Sequence, residues 1–379
     1  MQIKLHSPVW GQSGYERLTR GIAIALDKIG VQVQLFPYND WNDEWCDIDF
    51  EDKTRLERMT RQQVAKDAPV IMAQIPKLEY KDFYLQSKRK ICYTLFETDR
   101  CPNYWKHCFA SIMLDKIWTF SEFNRSYWIK DGLPANIIDI MPFGIDTDMF
   151  SPDGEKAEIQ NKKKFTFLTN GDFTERKNFE GLIEAFVTEF NGGEDVCLIV
   201  KTHFGGFTKN HKDKCLQKLK DIVMRFNPSN PPLILFCGDK LADFDMPLLY
   251  RAADCYVCSS RGEGLNMPAI EALSCGLPVI ATNWSAHCDY ISEKNGWLVP
   301  CTIGVIDDTE YIKKCLVALN HSWAYPDMGC LRSYMRYAFM NPDICKEKGR
   351  HGREDMLKKD HQSVSLWIVK KIMEMTDGK

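Results

Sequence analysis

One segment of the sequence combines residue types and spacings that predict chemistry on a phosphorylated ligand. Residues 254–282 read DCYVCSSRGEGLNMPAIEALSCGLPVIAT, an apolar strand followed by a glycine-bearing loop and by a helix with Pro268 in its first turn. A loop that leads into a helix N-terminus directs backbone N–H groups and the positive end of the helix dipole towards an anion. The segment therefore predicts a phosphate-binding site at the carboxyl end of a strand.

Two carboxylates lie in the same segment, Glu263 in the loop and Glu271 in the first turns of the helix. Carboxylates repel phosphate, so we expect this pair to bind hydroxyl groups, for which a sugar or a ribose is the natural source. The alternative is a pair of solvated glutamates at a helix start, where acidic residues are common. The strand–loop–helix context favours the binding interpretation.

The elements that position this segment alternate from the first residue. The apolar run IKLHSPV leads into the loop WGQSGY, after which apolar residues recur at helical spacing until Gly30, and VQVQLF follows as a strand. A strand, a loop, a helix and a strand in this order form the repeating unit of a doubly wound parallel sheet. Further strands are predicted at 69–74, 90–96, 116–119 and 137–141, and in a second series at 165–171, 196–201, 233–237, 254–258, 278–281 and 297–299.

The two series of strands indicate an α/β protein with two Rossmann-like doubly wound domains that face an interdomain cleft. Between them lies SPDGEKAEIQNKKK, a polar and turn-rich stretch typical of a linker. We expect an N-terminal acceptor domain over 1–155 and a C-terminal donor domain over 156–340. Residues 341–379 are expected to form helices, the last of which packs back on the N-terminal domain.

The composition excludes several classes of protein. The chain has 379 residues with 49 Lys and Arg against 52 Asp and Glu, and this balance argues against a strongly basic nucleic-acid-binding protein. The beginning of the chain lacks the pattern of a secretory signal, and no stretch approaches the ~20 apolar residues of a membrane span. The 15 cysteines are scattered, as expected of reduced thiols. We therefore expect a cytoplasmic protein with at most peripheral membrane contact and no nucleic-acid partner.

Short acidic and cysteine motifs do not predict a metal site. Asp-x-Asp occurs at Asp47/Asp49, Asp146/Asp148 and Asp243/Asp245, which is expected by chance in a chain with this many acids. Cys255 and Cys258 have a zinc-like spacing, but no second pair accompanies them, and residues three apart on a strand face opposite sides. We expect neither a metal nor another cofactor.

The chain resembles a known family through several blocks in order. GEGLNMPAIEALSCGLPVIAT is similar to the Glu-x7-Glu segment of retaining GT-B glycosyltransferases of family 4, also called glycosyl transferases group 1. The family's other blocks resemble, in chain order, GQSGYERLTRGIAIALDKIGVQV, FETDRCPNYW, IWTFSEFNRSYWIKDG, IMPFGIDTDMFSP, FLTNGDFTERKNFEGLIEAF, YRAADCYVCSS and NGWLVP. The resemblance covers the chain from about residue 7 to residue 300, and it implies a GT-B fold.

The resemblance implies roles for particular residues around a nucleotide sugar. Glu271 corresponds to the residue that holds the ribose, and Glu263 to the one that contacts hydroxyls of the transferred sugar. Lys177 matches the family's diphosphate lysine. The loop RGEGLNM, called the donor loop below, is expected to face the diphosphate with its backbone at Gly264, Leu265 and Asn266.

The resemblance also assigns a role to the first glycine-bearing loop and leaves the catalytic base open. The loop from Gly11 through Ser13 to Gly14 is expected to approach the phosphates from the N-terminal domain. In family members with an ETDR block, that block occupies the place of a histidine often seen in the N-terminal cleft. Here it carries Glu97 and Asp99, which are the candidate bases. The alternative interpretation is that Glu97 and Asp99 are structural, each as a helix cap or as a partner in a salt bridge within the loop.

The sequence departs from the family pattern at two positions of the donor domain. The family usually has an arginine after its first donor-domain strand, as a Gly-Arg pair, whereas this chain has Gly171 and Asp172. We expect Arg176, directly before Lys177, to supply the second cation. The other departure is Asn266, which stands where glycine is usual.

The acceptor is expected to bind loops of the N-terminal domain, because the second domain is committed to the nucleotide. The loops 9–15, 38–55 and 96–105 follow predicted strands, where function tends to lie. They carry aromatic residues suited to sugar faces, of which the candidates are Trp41, Trp45, Tyr104 and Trp105. The alternative for the acidic segment 40–52 is a solvated loop with its aromatic residues packed on the domain.

Together these observations predict a retaining glycosyltransferase. It would move a sugar from a nucleotide-diphosphate sugar to an acceptor hydroxyl without a metal ion, and the donor could be a UDP-, GDP- or ADP-sugar. The acceptor stays open among glycans, lipids, proteins and small molecules. The alternative is a catalytically silent GT-B protein that serves as a sugar-nucleotide or glycan binding subunit.

Overall fold

The computed structural model describes residues 1–11, 13–38, 48–73, 77–227, 229–307, 312 and 319–377. The chain forms two compact units. Unit 1 comprises Met1–Asp146 together with Lys358–Lys379, and unit 2 comprises Thr147–Leu357. The sequence predicts boundaries at 155/156 and 340/341, whereas the chain leaves unit 1 after Asp146 and returns to it at Lys358.

Unit 1 is built on a six-stranded sheet. Its strands are β1 (Gln2–Ser7), β2 (Gln32–Pro37), β3 (Val70–Ala73), β4 (Lys90–Tyr93), β5 (Lys116–Thr119) and β6 (Ile138–Ile140). They pair in the order β2-β1-β3-β4-β5-β6, and every pair is parallel. A parallel sheet needs a crossover between paired strands, and helices supply it here.

The helices that connect these strands are α1 (Gly14–Lys28), α2 (Phe50–Arg61), α3 (Lys81–Leu85), α4 (Asn103–Ile112) and α5 (Glu122–Lys130). Three of them begin inside segments that the sequence predicts to be loops, α1 in 9–15, α2 in 38–55 and α4 in 96–105. In α2 the Asp49 carboxylate caps the helix by accepting the N–H groups of Glu51 and Asp52. Residues 50–55 are therefore helical, as are the last three residues of the predicted loop 96–105.

Unit 2 contains a second six-stranded parallel sheet. Its strands are β7 (Phe165–Asp172), β8 (Val196–His203), β9 (Leu233–Cys237), β10 (Cys255–Cys258), β11 (Val279–Thr282) and β12 (Gly296–Val299). They pair in the order β12-β11-β10-β7-β8-β9. Counted within the unit this is the Rossmann order, and the strand order reverses between β7 and β10, where such sheets bind ligands.

The remaining elements that the structure describes in unit 2 are helices and one antiparallel hairpin. Its helices are α6 (Phe179–Glu189), α7 (Lys209–Phe226), α8 (Met246–Arg251), α9 (Met267–Ser274), α10 (Met328–Met340) and α11 (Pro342–Met356). An antiparallel hairpin of β13 (Cys301–Val305) and β14 (Ser322–Pro326), which the sequence does not predict, follows the sheet. One core cluster joins side chains of β7, β8, β10, α6, α7 and α10.

The chain ends in α12 (His361–Asp377), which is part of unit 1. Trp367 of this helix packs edge-on against Trp118 of β5, with ring centroids 5.1 Å apart. The buried stripe consists of Val364, Ile368 and Ile372. The periodicity of the sequence predicts an apolar stripe of Leu366, Val369, Ile372 and Met373. Ile372 is buried, whereas Leu366 and Met373 are about half exposed, since only every fourth residue faces the core.

The fold class predicted from the sequence, two doubly wound α/β units of Rossmann type, is confirmed. Predicted and observed strands agree closely in both series, and the largest difference is at β4, which ends at Tyr93 rather than at residue 96. There the Leu95 N–H donates to the Tyr15 hydroxyl and the Phe96 N–H to Asn124 Oδ1, so side chains replace the ladder partners of a strand.

Candidate active site

Two loops meet where the strand order of unit 2 reverses. One follows β7 and spans 173–178, and the other follows β10 and spans 259–266. Asn178 and Ser259 join them, since Asn178 Nδ2 donates to the Ser259 carbonyl over 3.2 Å and the Ser259 hydroxyl donates to the Asn178 carbonyl over 3.0 Å. The Arg261 N–H also donates to the Arg176 carbonyl over 2.7 Å. The loops therefore form one connected surface.

Glu263 lies at the centre of this surface and is bound by two cations. Lys177 Nζ lies 2.7 Å from Oε1 of Glu263, and Arg176 Nη1 lies 3.0 Å from Oε2. The same Arg176 nitrogen donates to the Gly262 carbonyl over 2.7 Å. Glu263 is only 4% exposed. Burial acts to raise the pKa of this carboxyl, but the charges of Lys177 and Arg176 outweigh it and lower the pKa to about 2.

The charge of this cluster suits an anionic ligand. The three side chains in direct contact, Lys177, Arg176 and the ionised Glu263, together carry one net positive charge. The lysine, the arginine and the glutamate that the sequence selects are therefore brought together within hydrogen-bonding distance. A diphosphate could compete with the carboxylate for both cations, because phosphate oxygens accept from ammonium and guanidinium groups.

The structure gives a physical reason for the residue at the family's arginine position. Asp172 is the last residue of β7, and its register partner in β8 is His203. Asp172 Oδ1 lies 2.6 Å from His203 Nε2. Asp172 is exposed, and against partial desolvation by the surrounding protein the His203 hydrogen bond and the nearby charges of Lys177 and Arg176 lower its pKa below the ordinary value. The family's arginine would stand at position 172. In this chain the guanidinium on the same carboxylate as Lys177 comes from Arg176.

Glu271 is held separately from the cation cluster. It lies in α9, is fully buried, and accepts a hydrogen bond of 2.7 Å from the Tyr250 hydroxyl. Asn170 Nδ2 in turn donates to the Tyr250 oxygen over 3.0 Å. The chain of bonds from Asn170 through Tyr250 fixes the Glu271 carboxylate, and Tyr250 is not among the residues that the sequence selects.

Asn266 departs from the family's glycine for a reason that its backbone makes clear. Its φ is 69° and its ψ is 71°, in the left-handed region, and it is the N-cap of α9. Glycine adopts this region without strain, and asparagine is among the few other residues that enter it. The substitution therefore preserves the turn that leads the loop into α9. Gly264 and Leu265 precede it and are buried.

Sequence reasoning missed the turn Ser285–Asp289, which follows β11 and contacts the donor loop. The Glu263 N–H donates to the Ser285 hydroxyl over 3.0 Å, and His287 Nε2 lies 2.8 Å from Asn266 Nδ2. The signal that could have found it is position, because polar residues directly after a buried parallel strand lie at the ligand-binding edge of the sheet.

The hairpin supports the donor loop from another side. The guanidinium of Arg261 lies over the rings of Trp323 and Tyr325, at 5.2 and 4.9 Å from their centroids. It also forms an ion pair of 2.5 Å with Glu175. The Ala324 N–H donates to the Arg261 carbonyl over 2.8 Å. Arg261 is thus engaged by the hairpin and by the β7–α6 loop.

In unit 1, the first glycine-bearing loop is closed by its own helix. Ser13 is the N-cap of α1, and Glu16 completes a capping box. Glu16 accepts the Gly11 N–H over 2.7 Å and the Ser13 N–H over 2.9 Å. A Cβ at Gly11 would collide with the Glu16 carboxylate, which accounts for the glycine. These two N–H groups are therefore bound by Glu16, while α1 begins at Gly14.

The candidate bases lie after β4 in unit 1. Glu97 is half-buried, and its charge is one of the causes that hold the pKa of Tyr15 far above its ordinary value, after burial, which is the largest. Asp99 is half-buried in the same loop. Asn124 anchors the loop, since its Nδ2 donates to the Phe96 carbonyl over 2.7 Å. The start of α1 and Glu97 are thus close together.

The four aromatic candidates for acceptor binding have different outcomes. Trp41 and Trp45 lie outside the described residues. Tyr104 is 51% exposed on α4. Trp105 is 4% exposed and packs edge-to-face with Phe96, with ring centroids 5.1 Å apart.

The described part of the chain shows neither a cluster of metal ligands nor a membrane-spanning helix. Among those residues, no group of three or more His, Cys, Asp or Glu side chains is arranged to hold a metal ion. Within the same ranges no helix is both long enough and apolar enough to cross a membrane. The described cysteines are free thiols, among them Cys255 and Cys258, which are buried.

Solved structures of other proteins share this architecture of two Rossmann-like parallel-sheet units. A sucrose-phosphate synthase from Thermosynechococcus elongatus matches with a TM-score of 0.69 at 15% identity, over 100% of both chains. HepE (Alr3699) from Anabaena, solved with UDP and glucose, matches with a TM-score of 0.67 at 14% identity, over 99% of this chain and 100% of that one. At these identities the likeness shows the fold.

Residues 164–320, within unit 2, form a domain that matches the family described as Glycosyl transferases group 1. The chain is 30% identical over 157 residues to mannosylfructose-phosphate synthase from Agrobacterium fabrum strain C58. That match spans 40% of this chain and 34% of the relative's length, about a third. The matched domain contains the cation cluster, the donor loop and Glu271.

Proposed function

We propose that the protein is a retaining glycosyltransferase of family 4, which moves a sugar from a nucleoside-diphosphate sugar to an acceptor hydroxyl. The observation that carries the proposal is the buried Glu263 carboxylate between Lys177 and Arg176, at the strand-order reversal of a glycosyl transferases group 1 domain. The neighbour solved with UDP and glucose supports a nucleotide sugar as donor.

Each part of the donor has a matching group in unit 2. Lys177 and Arg176 bind the diphosphate together with backbone N–H groups at Gly264, Leu265 and Asn266. Glu263 then binds hydroxyls of the transferred sugar, and its low pKa keeps it an acceptor of hydrogen bonds at neutral pH. Glu271, oriented by Tyr250, accepts hydrogen bonds from the ribose.

The reaction exchanges one bond at the anomeric carbon for another. The acceptor oxygen bonds to that carbon while the bond to the diphosphate oxygen breaks, and both occur on the same face, so the configuration is retained. The acceptor proton passes to an oxygen of the departing diphosphate, and Glu97 and Asp99 are the candidate bases if a side chain takes it instead. Lys177 and Arg176 stabilise the negative charge that develops on the leaving group.

Turnover is proposed to be independent of a metal ion, because two cationic side chains perform the charge neutralisation. The direct check is turnover in the presence of an excess of EDTA. We expect a rate equal to that of the untreated protein, and recovery of a lost rate by added Mg²⁺ or Mn²⁺ would contradict the proposal.

The acceptor is proposed to bind unit 1, where Tyr104 offers an exposed ring on α4. Trp41 and Trp45 remain candidates from the sequence. Replacing both is expected to impair transfer to the natural acceptor while donor hydrolysis stays near normal. Loss of both activities together with a lower melting temperature would instead identify the two tryptophans as core residues.

The experiment that tests the function is hydrolysis of a panel of UDP-, GDP- and ADP-sugars, with release of the nucleoside diphosphate as the readout. We expect turnover of at least one donor class. Proton NMR of the sugar first released then reports its anomeric configuration, which is expected to match that of the donor. An inverted product would contradict the retaining mechanism.

Binding without turnover would favour the alternative, a silent GT-B subunit. If titration calorimetry detects a nucleotide sugar that the protein neither hydrolyses nor transfers to any of a range of glycan, lipid and small-molecule acceptors, the proposed catalysis is wrong. If neither binding nor turnover occurs with any donor class, the assignment of the site itself is wrong.

A further inference from the structure

The turn Ser285–Asp289 and the following Tyr290 hold the donor loop along most of its length. The Glu263 N–H donates to the Ser285 hydroxyl over 3.0 Å, and the Ala286 N–H donates to the Glu263 carbonyl over 3.2 Å. The Tyr290 hydroxyl donates to the Leu265 carbonyl over 2.7 Å. The loop that carries Glu263 follows β10, and it is therefore held in place by the segment that follows the neighbouring strand, β11.

The contact at the end of the loop is made by a buried histidine. His287 is fully buried, and its Nε2 lies 2.8 Å from Nδ2 of Asn266. Its Nδ1 lies 3.2 Å from the carbonyl oxygen of Thr282. A carbonyl oxygen only accepts, so Nδ1 carries the proton and donates to Thr282. In the neutral ring Nε2 is then an acceptor, and the amide of Asn266 donates to it.

Asn266 needs such a partner more than glycine would. Its backbone occupies the left-handed region, where a side chain is strained, and the residue is only 6% exposed. The same Nδ2 also lies 3.1 Å from Cys258 Sγ. The imidazole is the stronger acceptor of the two, because sulfur accepts hydrogen bonds weakly. Removing it would leave a buried donor without adequate compensation at a strained residue.

We propose that His287 is a positioning residue of the nucleoside-diphosphate site, acting through Asn266. It holds the Asn266 amide, so the backbone keeps the left-handed conformation and the N–H groups of the loop keep the orientation that the diphosphate requires. Binding groups that are fixed beforehand lose less entropy when a ligand arrives. This inference rests on the proposed function, because it assigns the loop to a nucleoside diphosphate.

A double-mutant cycle tests whether His287 acts through Asn266. Calorimetric titration with UDP, GDP and ADP first identifies the nucleotide that the unaltered protein binds. We expect His287→Ala to weaken its binding about tenfold, the size of one buried hydrogen bond. In the Asn266→Gly background, where no amide needs a partner, the same change is expected to alter affinity by less than about twofold.

Two further variants separate positioning from stability. His287→Gln supplies a carbonyl oxygen near the place of Nε2 and is expected to recover most of the affinity. His321→Ala removes another buried imidazole of unit 2, and it is expected to lower the melting temperature without weakening nucleotide binding. His287→Ala with unchanged affinity would overturn the proposal.

Other outcomes are equally decisive. If the loss of nucleotide affinity caused by His287→Ala persists in the Asn266→Gly background, the histidine does not act through Asn266 and the proposal is wrong. If His287→Ala, His287→Gln and the double variant all fail to fold, His287 is a folding residue, which also overturns it. If the unaltered protein binds none of the three nucleotides, the proposed function is wrong. If it binds one of them and His287→Ala binds it equally well, only the proposal for His287 is wrong.

Discussion

The proposed role of Glu271 can be tested by replacing one carboxylate oxygen with an amide nitrogen, as in Glu271→Gln. Its carboxylate is buried in α9 and bound by the Tyr250 hydroxyl. A carboxylate accepts from both ribose hydroxyls, whereas an amide at the same place accepts at one atom and donates at the other. The identity of that atom therefore matters to ribose binding more than to the fold.

We expect Glu271→Gln to bind the nucleotide at least about tenfold more weakly, because one acceptor is replaced by a donor. Its melting temperature should stay close to that of the unaltered protein, since the amide oxygen can still accept from Tyr250. Tyr250→Phe is the matched variant, in which the carboxylate is kept and its orienting bond is lost. Unchanged affinity of Glu271→Gln in a calorimetric titration would show that the ribose is bound elsewhere.

Several residues of the site could be selected from the sequence alone, and others could not. Glu263 and Glu271 lie in a strand–loop–helix pattern that is sufficient to select them, and Lys177 is selected by the resemblance of its block to the family. His287 and Tyr250 act through tertiary contacts with Asn266 and Glu271, and a contact between distant strands leaves no local pattern. The same limit applies to Trp105, whose packing against Phe96 could not be predicted from its place in the sequence.

At the scale of elements, the strands were predictable because buried parallel strands are apolar runs between turn residues. The hairpin of β13 and β14 was not, because its buried residues are few and its role is to pack on Arg261. The sequence likewise indicates that the last helix is amphipathic, but of its predicted stripe Ile372 is buried while Leu366 and Met373 are about half exposed. Periodicity gives the repeat of a helix, whereas the packing partner decides which residues of the stripe are buried.

The contact between α9 and α11 supports the helix that carries Glu271. Gly349 of α11 lies against the backbone of Gly276, just after α9, where a Cβ would collide with the Gly276 carbonyl oxygen. Gly352, one turn later, faces Leu273. The two glycines allow a close approach of the helices. This contact accounts for glycine at two helical positions despite its low helix propensity.

We expect Gly349→Ala to lower the free energy of unfolding by about 1–3 kcal/mol, because overpacking costs more than the gain in helix propensity. Lys346→Ala is the control in the same helix, since its side chain is 79% exposed. Urea denaturation measures both. Stabilisation by Gly349→Ala would show that the helices can separate slightly without cost.

At the scale of the whole molecule, unit 1 contains two histidines that burial keeps neutral. His6 is surrounded by aromatic rings and lies 2.6 Å from the Tyr84 hydroxyl. Burial, with a smaller contribution from Lys77, lowers the pKa of His6 to about 4. Burial also lowers the pKa of His361 to about 4, against the opposing charges of Asp146 and Asp360.

These lowered pKa values predict that unit 1 becomes less stable in acid. Below the ordinary histidine pKa of about 6.5 the unfolded chain binds protons that the folded unit does not, so stability is lost as the pH falls from there to about 4. A pKa that is lower by one in the folded state than in the unfolded state corresponds to a loss of about 1.4 kcal/mol. Calorimetric unfolding between pH 7.5 and pH 4.5 should show this loss.

The control for the pH prediction lies in the same unit. His361→Gln should reduce the dependence of stability on pH, whereas His107→Gln should leave it unchanged, because His107 is exposed on α4. Equal stability of the unaltered protein at the two pH values would mean that both histidines titrate normally in the folded state.

The measurement that tests the central claim most directly is the turnover number of Lys177→Ala and Arg176→Ala with the donor that the unaltered protein uses. If these two side chains stabilise the departing diphosphate, each change should lower kcat on the order of 10²-fold or more. Each variant should stay folded by circular dichroism but melt at a lower temperature, because the buried Glu263 carboxylate loses one of its two cations. Lys214→Ala, which removes an exposed lysine of α7, should retain full turnover. Near-normal kcat in both site variants would contradict the assignment of the cluster around Glu263 as the catalytic centre.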